Sequence, residues 1–289
     1  MKKRNLLWLI AALLYLAFTI ISHEWVSDLY SQLVKHFGKT TIENFLHNGS
    51  LATVALVIVG CPFLLKQRGS FDVHRLILWG TISFCVVLAD QLLIVTNIER
   101  IHYPQYAILA VFFRVAFEDG FFALFLATLG GAVDELLQFI WNPQYTKYLD
   151  FNDVVLNVLG AVIGIAAFLS LFPGIQQGVT RFRRIKLSIY AVTSALLGLA
   201  GIVAWTGRIV SYVVPGDGYR VVTQAGGKIV FVLSFMKHPD FWTVSEFGRE
   251  YHILSPLEGL NTVLFLLILF GYILAKSSSH TMDTKEDNQ

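Results

Sequence analysis

The sequence predicts an all-α polytopic membrane protein of about eight transmembrane helices, with a small extracytoplasmic β-meander between the last two. Of its 289 residues, 55% are hydrophobic and only 15% are charged, and the mean hydropathy is +0.61. A soluble domain of this length would need more polar surface. Apolar segments also recur along the chain at lengths close to the ~20 residues that cross a bilayer.

Eight apolar segments are the candidate transmembrane helices. The first follows a basic amino terminus and has no small-residue cleavage site before His23, so we expect a retained anchor. The fourth has only about twelve apolar residues. It spans only if its helix also includes His102–Gln105 and if Arg114 snorkels to the interface. The segments are Leu6–Ser22, Leu51–Leu65, Leu76–Thr96, Tyr106–Phe117, Phe121–Trp141, Val154–Phe172, Leu187–Trp205 and Leu257–Ala275.

Lysine and arginine residues gather on one side of the predicted spans. Basic clusters precede the first span, follow the second and precede the seventh. The short loops on the other side hold only Lys35, Lys39, Arg100 and Lys147. Because short cytoplasmic loops carry the excess of positive charge, both termini are predicted to be cytoplasmic. The basic clusters are typical of topology anchors beside acidic lipid, and no nucleic-acid partner is expected.

Composition divides the chain into successive regions. The loop His23–Ser50 has apolar residues at helical spacing, which predicts an interfacial helix between the first two spans. The predicted regions are a two-helix leader with this interfacial loop at 1–75, a four-helix core at 76–172, a basic cytoplasmic linker at 173–186, a helix pair with an extracytoplasmic β-rich insert (206–256) at 187–276, and a disordered cytoplasmic tail at 277–289.

The insert contains three segments rich in β-branched and aromatic residues. These are Ile209–Val214, Tyr219–Thr223 and Lys228–Phe235, and turn residues separate them. The pattern predicts a three-stranded antiparallel meander that covers the outer face of the helices.

Costly polar residues stand near the end of the fifth span. Asp134 and Gln138 are four residues apart and Glu135 and Gln138 are three apart, so the three share one side of a helix. Carboxylates at this depth normally face the bundle interior or a wet cavity, which favours a functional role. The alternative is that they are ordinary solvated residues at the helix end.

A second polar group opens the sixth span. Lys147 precedes it, and Asp150, Asp153 and Asn157 fall on one helical face. Asp150 and Asp153 also resemble a capping box, which requires no chemistry. Asn157 is a buried amide one turn further in. Beyond it, Gly160 and Gly164 have the spacing that allows a neighbouring helix to approach closely.

A third polar group precedes the fourth span, at Glu99, Arg100, His102 and Tyr106. Glu-x-x-His on a helix can supply two metal ligands. Pro104 suits the first turn of a helix and places Glu99 and His102 before it, so no metal site is predicted. A thiolate site is excluded because both cysteines lie within spans. General acid or base work by His102, oriented by a carboxylate, is favoured over metal binding.

The three groups together resemble the VanZ-like family of membrane proteins, over roughly residues 76–172. The resemblance rests on Glu99-Arg-Ile-His102-Tyr-Pro-Gln-Tyr106, Asp134-Glu135-Leu-Leu-Gln138, Pro143, and Lys147-x-x-Asp150-x-x-Asp153-Val-x-x-Asn157-x-x-Gly160. The founding member of that family is an accessory factor for teicoplanin resistance. The resemblance therefore implies a bacterial envelope protein in the cytoplasmic (inner) membrane, with a role in glycopeptide tolerance or envelope stress. It supplies no reaction.

This chain departs from the family pattern at one position. The family usually has arginine where this chain has Lys147, which keeps the charge but loses the planar fork suited to a carboxylate or phosphate. An anion at this position would be held by a point charge.

The residues leave several functions open and do not identify a cofactor. In an enzyme acting on a lipid-linked or cell-wall precursor, the catalytic residues would be His102, Glu135 and Asp153. Substrate would contact Glu99, Arg100, Tyr106, Asp134, Gln138, Lys147, Asp150 and Asn157. Alternatively, the same network locks helices together in a non-catalytic envelope or binding protein. A carrier is disfavoured because the polar residues gather at one face instead of lining a path through the membrane.

Overall fold

The structure is a computed structural model. It describes residues 3–69, 72–141, 148–172, 202, 205–210, 221–224, 226–234, 242–244 and 250–286.

Helices make up most of the described chain. They are α1 (Lys3–Phe37), α2 (Lys39–Gln67), α3 (Val73–Leu92), α4 (His102–Phe117), α5 (Gly120–Trp141), α6 (Phe151–Leu171) and α7 (Pro256–Glu286), with a 3₁₀ turn at Asn97–Ile101. Six of them contain a segment long and apolar enough to cross a membrane: Asn5–His23, Lys39–Gln67, Val73–Leu92, Gly120–Trp141, Phe151–Leu171 and Pro256–Lys276. The helical, multi-pass class is confirmed. At 16 residues α4 is shorter than these, and most of the predicted span Leu187–Trp205 lies outside the described residues.

The leader differs from the prediction of an interfacial loop. Helix α1 continues without a break past His23, and α2 begins at Lys39. Gly38 alone separates them, with a φ of 82° that favours glycine. The predicted helical spacing after Ser22 is therefore real, but it belongs to an extension of α1. Nothing between Ser22 and Gly38 breaks the helix, since this stretch contains neither glycine nor proline.

Helix α6 occupies the centre of the bundle. Of its most apolar stretch 83% is buried, against 11% in α2, whose side chains face outward. The close approach predicted at Gly160 and Gly164 is confirmed. A β-carbon at Gly160 would lie 2.7 Å from the carbonyl oxygen of Tyr103, and one at Gly164 would lie 2.2 Å from that of Ala107. Helix α4 therefore rests directly on the glycine face of α6.

Arg114 does not snorkel as the prediction for the fourth segment required. Its side chain is fully buried, with the guanidinium 5.6 Å from the ring centroid of Phe168. Helix α4 packs against α1, α5 and α6, and this packing encloses the side chain.

The insert forms a sheet whose strand order differs from that of a meander. Strands β1 (Ile209–Val210), β2 (Val221–Thr223) and β3 (Ile229–Val232) lie in the order β1-β3-β2. Strand β2 is antiparallel to β3, as predicted, but β1 is parallel to it. Strand β3 is central because it carries two buried side chains, Val230 and Val232. A further antiparallel pair, β4 (Trp242–Val244) with β5 (Glu250–His252), was not predicted.

The strands are attached to the end of the bundle where α4 and α6 begin and α5 ends. The amide of Leu149 donates to the carbonyl of Leu233 at 2.9 Å. The side-chain amide nitrogen of Asn152 donates to the backbone carbonyls of Leu93 (2.9 Å) and His252 (2.7 Å). Its oxygen accepts from the amide of Leu254 at 2.9 Å. One buried side chain thus joins α3, α6 and the chain that leads from β5 to α7.

Candidate functional site

The three polar groups of the sequence meet at this end of the bundle. His102 opens α4, Glu135 lies one and a half turns before the end of α5, and Asp153 lies in the first turn of α6. These three residues, which we call the central triad, each offer one ligand or proton-transfer atom within 4.8 Å of the others. His102 Nε2 lies 3.4 Å from Asp153 Oδ2. His102 and Glu135 are almost fully buried, at 3% and 2% exposure.

The end of α5 supplies a hydrogen-bonded network beside the triad. Asp134 is fully buried and accepts a hydrogen bond of 2.8 Å from the hydroxyl of Tyr106. The amide nitrogen of Gln138 donates to Asp134 Oδ1 at 3.3 Å and to Glu135 Oε1 at 3.2 Å. The predicted helical face is therefore correct, and it points into the bundle instead of toward solvent.

His23 completes this network, and sequence reasoning missed it. Its Nε2 lies 3.2 Å from Asp134 Oδ2 and 3.1 Å from the amide nitrogen of Gln138. Its ring is stacked near that of His102, with 6.0 Å between centroids. The available signal was its position directly after the first apolar segment, which places it at the level of the other polar groups. It was overlooked because His23 was taken as the start of a loop.

At the start of α6, Asp150 serves as a helix cap. Its Oδ1 accepts from the backbone amides of Asn152 at 2.9 Å and Asp153 at 3.4 Å. Burial and the neighbouring charge of Asp153 raise the pKa of Asp150 to about 7. The capping prediction is confirmed, and it leaves the Asp153 carboxylate directed at His102.

Glu99, which was predicted to contact substrate, has structural partners. Glu99 forms a capping box with Thr96 and also accepts from the amide of Val95 at 2.7 Å. Burial and the charges of Asp153 and Asp150 raise the pKa of Glu99 well above its ordinary value, although the backbone hydrogen bonds oppose the shift.

The guanidinium of Arg100 pairs with Asp90 of α3, with 2.6 Å between Nη2 and Oδ1. Arg100 is 3% exposed and also contacts Asn97. It is therefore not directed toward the triad. Lys147, the other predicted anion-binding residue, lies outside the described residues.

Asn157 lies one turn deeper than the triad. It is fully buried, and neither atom of its side-chain amide has a hydrogen-bond partner among the described residues. A β-carbon at Gly131 of α5 would lie 2.8 Å from this amide. Asn157 therefore sits between α5 and α6, four residues after Asp153.

Two tyrosines close to the site come from outside the helices, and sequence reasoning missed both. Burial and the charges of Asp150, Asp153 and Glu99 raise the pKa of Tyr148 well above its ordinary value. Tyr251 lies in β5. Burial and the charges of Glu99 and Asp150 likewise raise its pKa. Tyr148 forms a β-bridge with Ser234 and Tyr251 lies in β5, so both tyrosines come from the strand side of the site.

The site is strongly acidic over the described part of the chain. Its carboxylates, which we call the acidic cluster, are Glu99, Asp134, Glu135, Asp150 and Asp153. Within the described ranges, only His23 and His102 pair with them as bases. Such an arrangement can move a proton between an imidazole and a carboxylate, or it can bind a cation.

Comparisons of this chain with protein-family models, with curated proteins and with solved structures find no match.

Proposed function

We propose that this protein is a VanZ-like, multi-pass protein of the bacterial cytoplasmic membrane whose acidic site binds and processes a lipid-linked envelope substrate. The observation that carries the proposal is the convergence of His102, Glu135 and Asp153 from three helices within 4.8 Å. Buried ionisable groups inside a membrane protein are costly and are normally retained for function. The VanZ-like pattern would link this site to glycopeptide tolerance, including tolerance of teicoplanin.

The proposed topology places the site on the extracytoplasmic face. Eight spans with both termini in the cytoplasm put the start of α4 and the end of α5 outside, together with the strands of the insert. Two observations support this arrangement: these helix ends share one end of the bundle, and the strands are attached there through Asn152. The site would then meet headgroups of the outer leaflet.

The chemistry proposed for the site is proton transfer. His102 and Asp153 form an imidazole–carboxylate pair, in which the carboxylate orients the ring and stabilises its charged form. Glu135, held by Gln138, is a second proton acceptor on the opposite helix. Tyr148 and Tyr251 would offer hydroxyl donors and aromatic surface to a sugar or phosphate group entering from the strand side.

Turnover by purified protein tests this proposal. The protein in detergent or nanodiscs would be incubated with polyprenyl phosphate, a lipid-linked disaccharide and common phospholipids, and the products followed by mass spectrometry. We expect conversion of at least one of these lipids, and a loss of at least 100-fold in Glu135→Gln and Asp153→Asn. Asp28→Asn, which changes an exposed carboxylate of α1, is the matched control. Absence of turnover across the whole panel would contradict an enzymatic role.

A second candidate function is a non-catalytic envelope or binding protein. It is favoured by the structural roles of Arg100, Glu99 and Asn152, which fix helices to one another around the site. It predicts that Glu135→Gln and Asp153→Asn lower the amount of folded protein in the membrane. The enzyme hypothesis predicts normal amounts with loss of activity.

A further inference from the structure

We propose that the central triad binds one divalent metal ion of the Zn²⁺ or Mn²⁺ type. His102, Glu135 and Asp153 each present a donor atom, and the three atoms lie within 4.8 Å of one another. The 3.4 Å between His102 Nε2 and Asp153 Oδ2 is about the spacing of two ligands that lie ~2.1 Å from a tetrahedral ion. The inference rests on the proposed function in taking this cluster as the working site, and it assigns the three side chains to coordination of an ion in place of proton transfer.

The three ligands are held by separate, well-packed elements. Gly160 brings α4 onto α6, and this contact fixes the distance from His102 to Asp153. Asp150 caps α6 beside Asp153, and the Gln138 amide donates to Glu135 at 3.2 Å. Hydrogen bonds of this kind orient ligands in protein metal sites.

The charge of the site calls for a cation. Asp134 has His23 and Tyr106 as partners. In the part of the chain that the structure describes, no lysine or arginine forms an ion pair with Glu135 or Asp153. Glu135 is buried and Asp153 is half-buried, and two such carboxylates so close together are unfavourable unless a positive charge or a proton lies between them. One divalent ion would supply the positive charge.

Unsatisfied polar atoms beside the triad are an independent indication of a missing ligand. Asn157 is fully buried, and both atoms of its side-chain amide are without a partner among the described residues. Asn157 follows Asp153 by one turn, and its neighbour Gly131 precedes Glu135 by one turn. The unpartnered amide thus lies between α5 and α6, one helical turn from the triad. Buried amides are nearly always hydrogen-bonded, and a water on the ion would provide such a bond.

The donor set selects the class of ion. One imidazole with two carboxylates suits Zn²⁺ and Mn²⁺, whereas Mg²⁺ and Ca²⁺ favour oxygen ligands alone. With three protein ligands, such an ion keeps open positions. It could therefore bind the phosphate oxygens of a lipid headgroup and polarise them as a Lewis acid.

Metal content and affinity test the inference. Full-length protein would be purified in detergent, its metals measured by mass spectrometry, and the chelator-treated protein titrated with Zn²⁺, Mn²⁺ and Mg²⁺ by calorimetry. We expect about one Zn²⁺ or Mn²⁺ per chain, weaker binding of Mg²⁺, and a rise in thermal stability on reloading. His102→Ala, Glu135→Gln and Asp153→Asn should each weaken binding at least tenfold, while Asp28→Asn should leave it unchanged.

A spectroscopic readout covers variants that fold poorly. Co²⁺ bound to the wild-type protein should give visible absorption bands typical of nitrogen and oxygen ligands, and His102→Gln should alter them at equal protein concentration. Wild-type protein that binds none of these ions, or whose bound ion survives all three substitutions unchanged, would overturn the inference.

The outcomes separate this inference from the proposed function. Tight binding of the ion without turnover of any lipid supports the metal site and contradicts the enzyme. Turnover by metal-free protein, together with no binding of any of these ions in the titrations, supports the enzyme and overturns the metal site.

Discussion

The imidazole of His102 faces the carboxylate of Asp153 because Gly160 lets the backbone of Tyr103 rest on α6. The close approach leaves no room for a side chain, since a β-carbon at Gly160 would lie 2.7 and 2.8 Å from the carbonyl oxygens of Tyr103 and His102. Backbone atoms of a helix cannot move aside as a flexible side chain can. The glycine therefore sets the width of the site.

Gly160→Ala is expected to push α4 away from α6. We expect a loss of about 1–3 kcal/mol in the free energy of unfolding, which is typical of overpacking, and a loss of whatever activity or ligand binding the triad supports. Thermal unfolding in detergent would measure the first effect. Gly80→Ala in α3, where a β-carbon meets nothing within 4 Å, is the control and should be neutral or slightly stabilising. Equal stability of the two variants would contradict the steric argument.

His23→Ala should weaken the network at Asp134. The substitution removes the ring that lies 3.2 Å from Asp134 Oδ2 and leaves Tyr106 and Gln138 as its hydrogen-bond partners. We expect a loss of about 1–3 kcal/mol, because a buried carboxylate loses a hydrogen-bond partner. His36→Ala changes an exposed histidine of the same helix and should have little effect. If both variants unfold at the wild-type temperature, His23 is not part of the network.

Asn152→Ala should loosen the strands from the helices. It removes three hydrogen bonds, to Leu93, His252 and Leu254, and takes a buried partner from the backbone groups of Leu93 and Leu254. We expect a loss of at least about 2 kcal/mol, since each unpaired buried group costs about 1–3 kcal/mol. Limited proteolysis should cut the segment between β5 and α7 more rapidly than in Asn261→Ala, an exposed control in α7. Identical cleavage rates would show that the strands are held elsewhere.

Asp90→Ala should be strongly destabilising because it leaves the buried guanidinium of Arg100 without its partner. Breaking a buried ion pair from one side costs about 3–5 kcal/mol. The double variant Asp90→Ala with Arg100→Ala should lose less than the sum of the losses in the two single variants. A double-mutant cycle from thermal or denaturant unfolding would measure this coupling. Additive losses would mean that Arg100 serves another partner.

Glu99 should make stability depend on pH. Its pKa in the folded protein is raised by burial and by Asp153, so the folded chain retains a proton that the unfolded chain releases. The contribution of Glu99 to stability should therefore be present below the ordinary glutamate pKa and be lost as the pH rises toward the folded value. Glu99→Gln cannot titrate. The unfolding temperature of the variant should thus rise relative to that of the wild type as the pH increases above the ordinary glutamate pKa. A constant difference would contradict the raised pKa.

The sequence predicted which polar groups converge at the site better than it predicted the partners and packing around them. Helical spacing placed Asp134, Glu135 and Gln138 on one face, and the alternation of spans placed that face beside the starts of α4 and α6. These inferences need only the period of the helix and the direction of the chain. Hydrophobicity likewise revealed the class of the protein.

Long-range pairing was beyond those rules. Nothing in the sequence around Arg100 names Asp90 as its partner, and nothing near His23 shows that α1 packs against α4 and α5 at that height. The order of the strands also depends on which strand buries more surface, which local patterns do not reveal. The extension of α1 beyond His23 was missed because a change in hydrophobicity was taken for a change in secondary structure.

Because α6 lies at the centre of the bundle, its apolar side chains mainly pack against other helices and make little contact with lipid. On α2, exchanging one large aliphatic side chain for another alters mainly what the acyl chains touch. On α6 the same exchange meets a neighbouring helix on nearly every face, so volume and shape are constrained where polarity alone would permit change. In a mutational scan, α2 should tolerate most apolar substitutions, whereas α6 should reject them almost as strictly as it rejects charges.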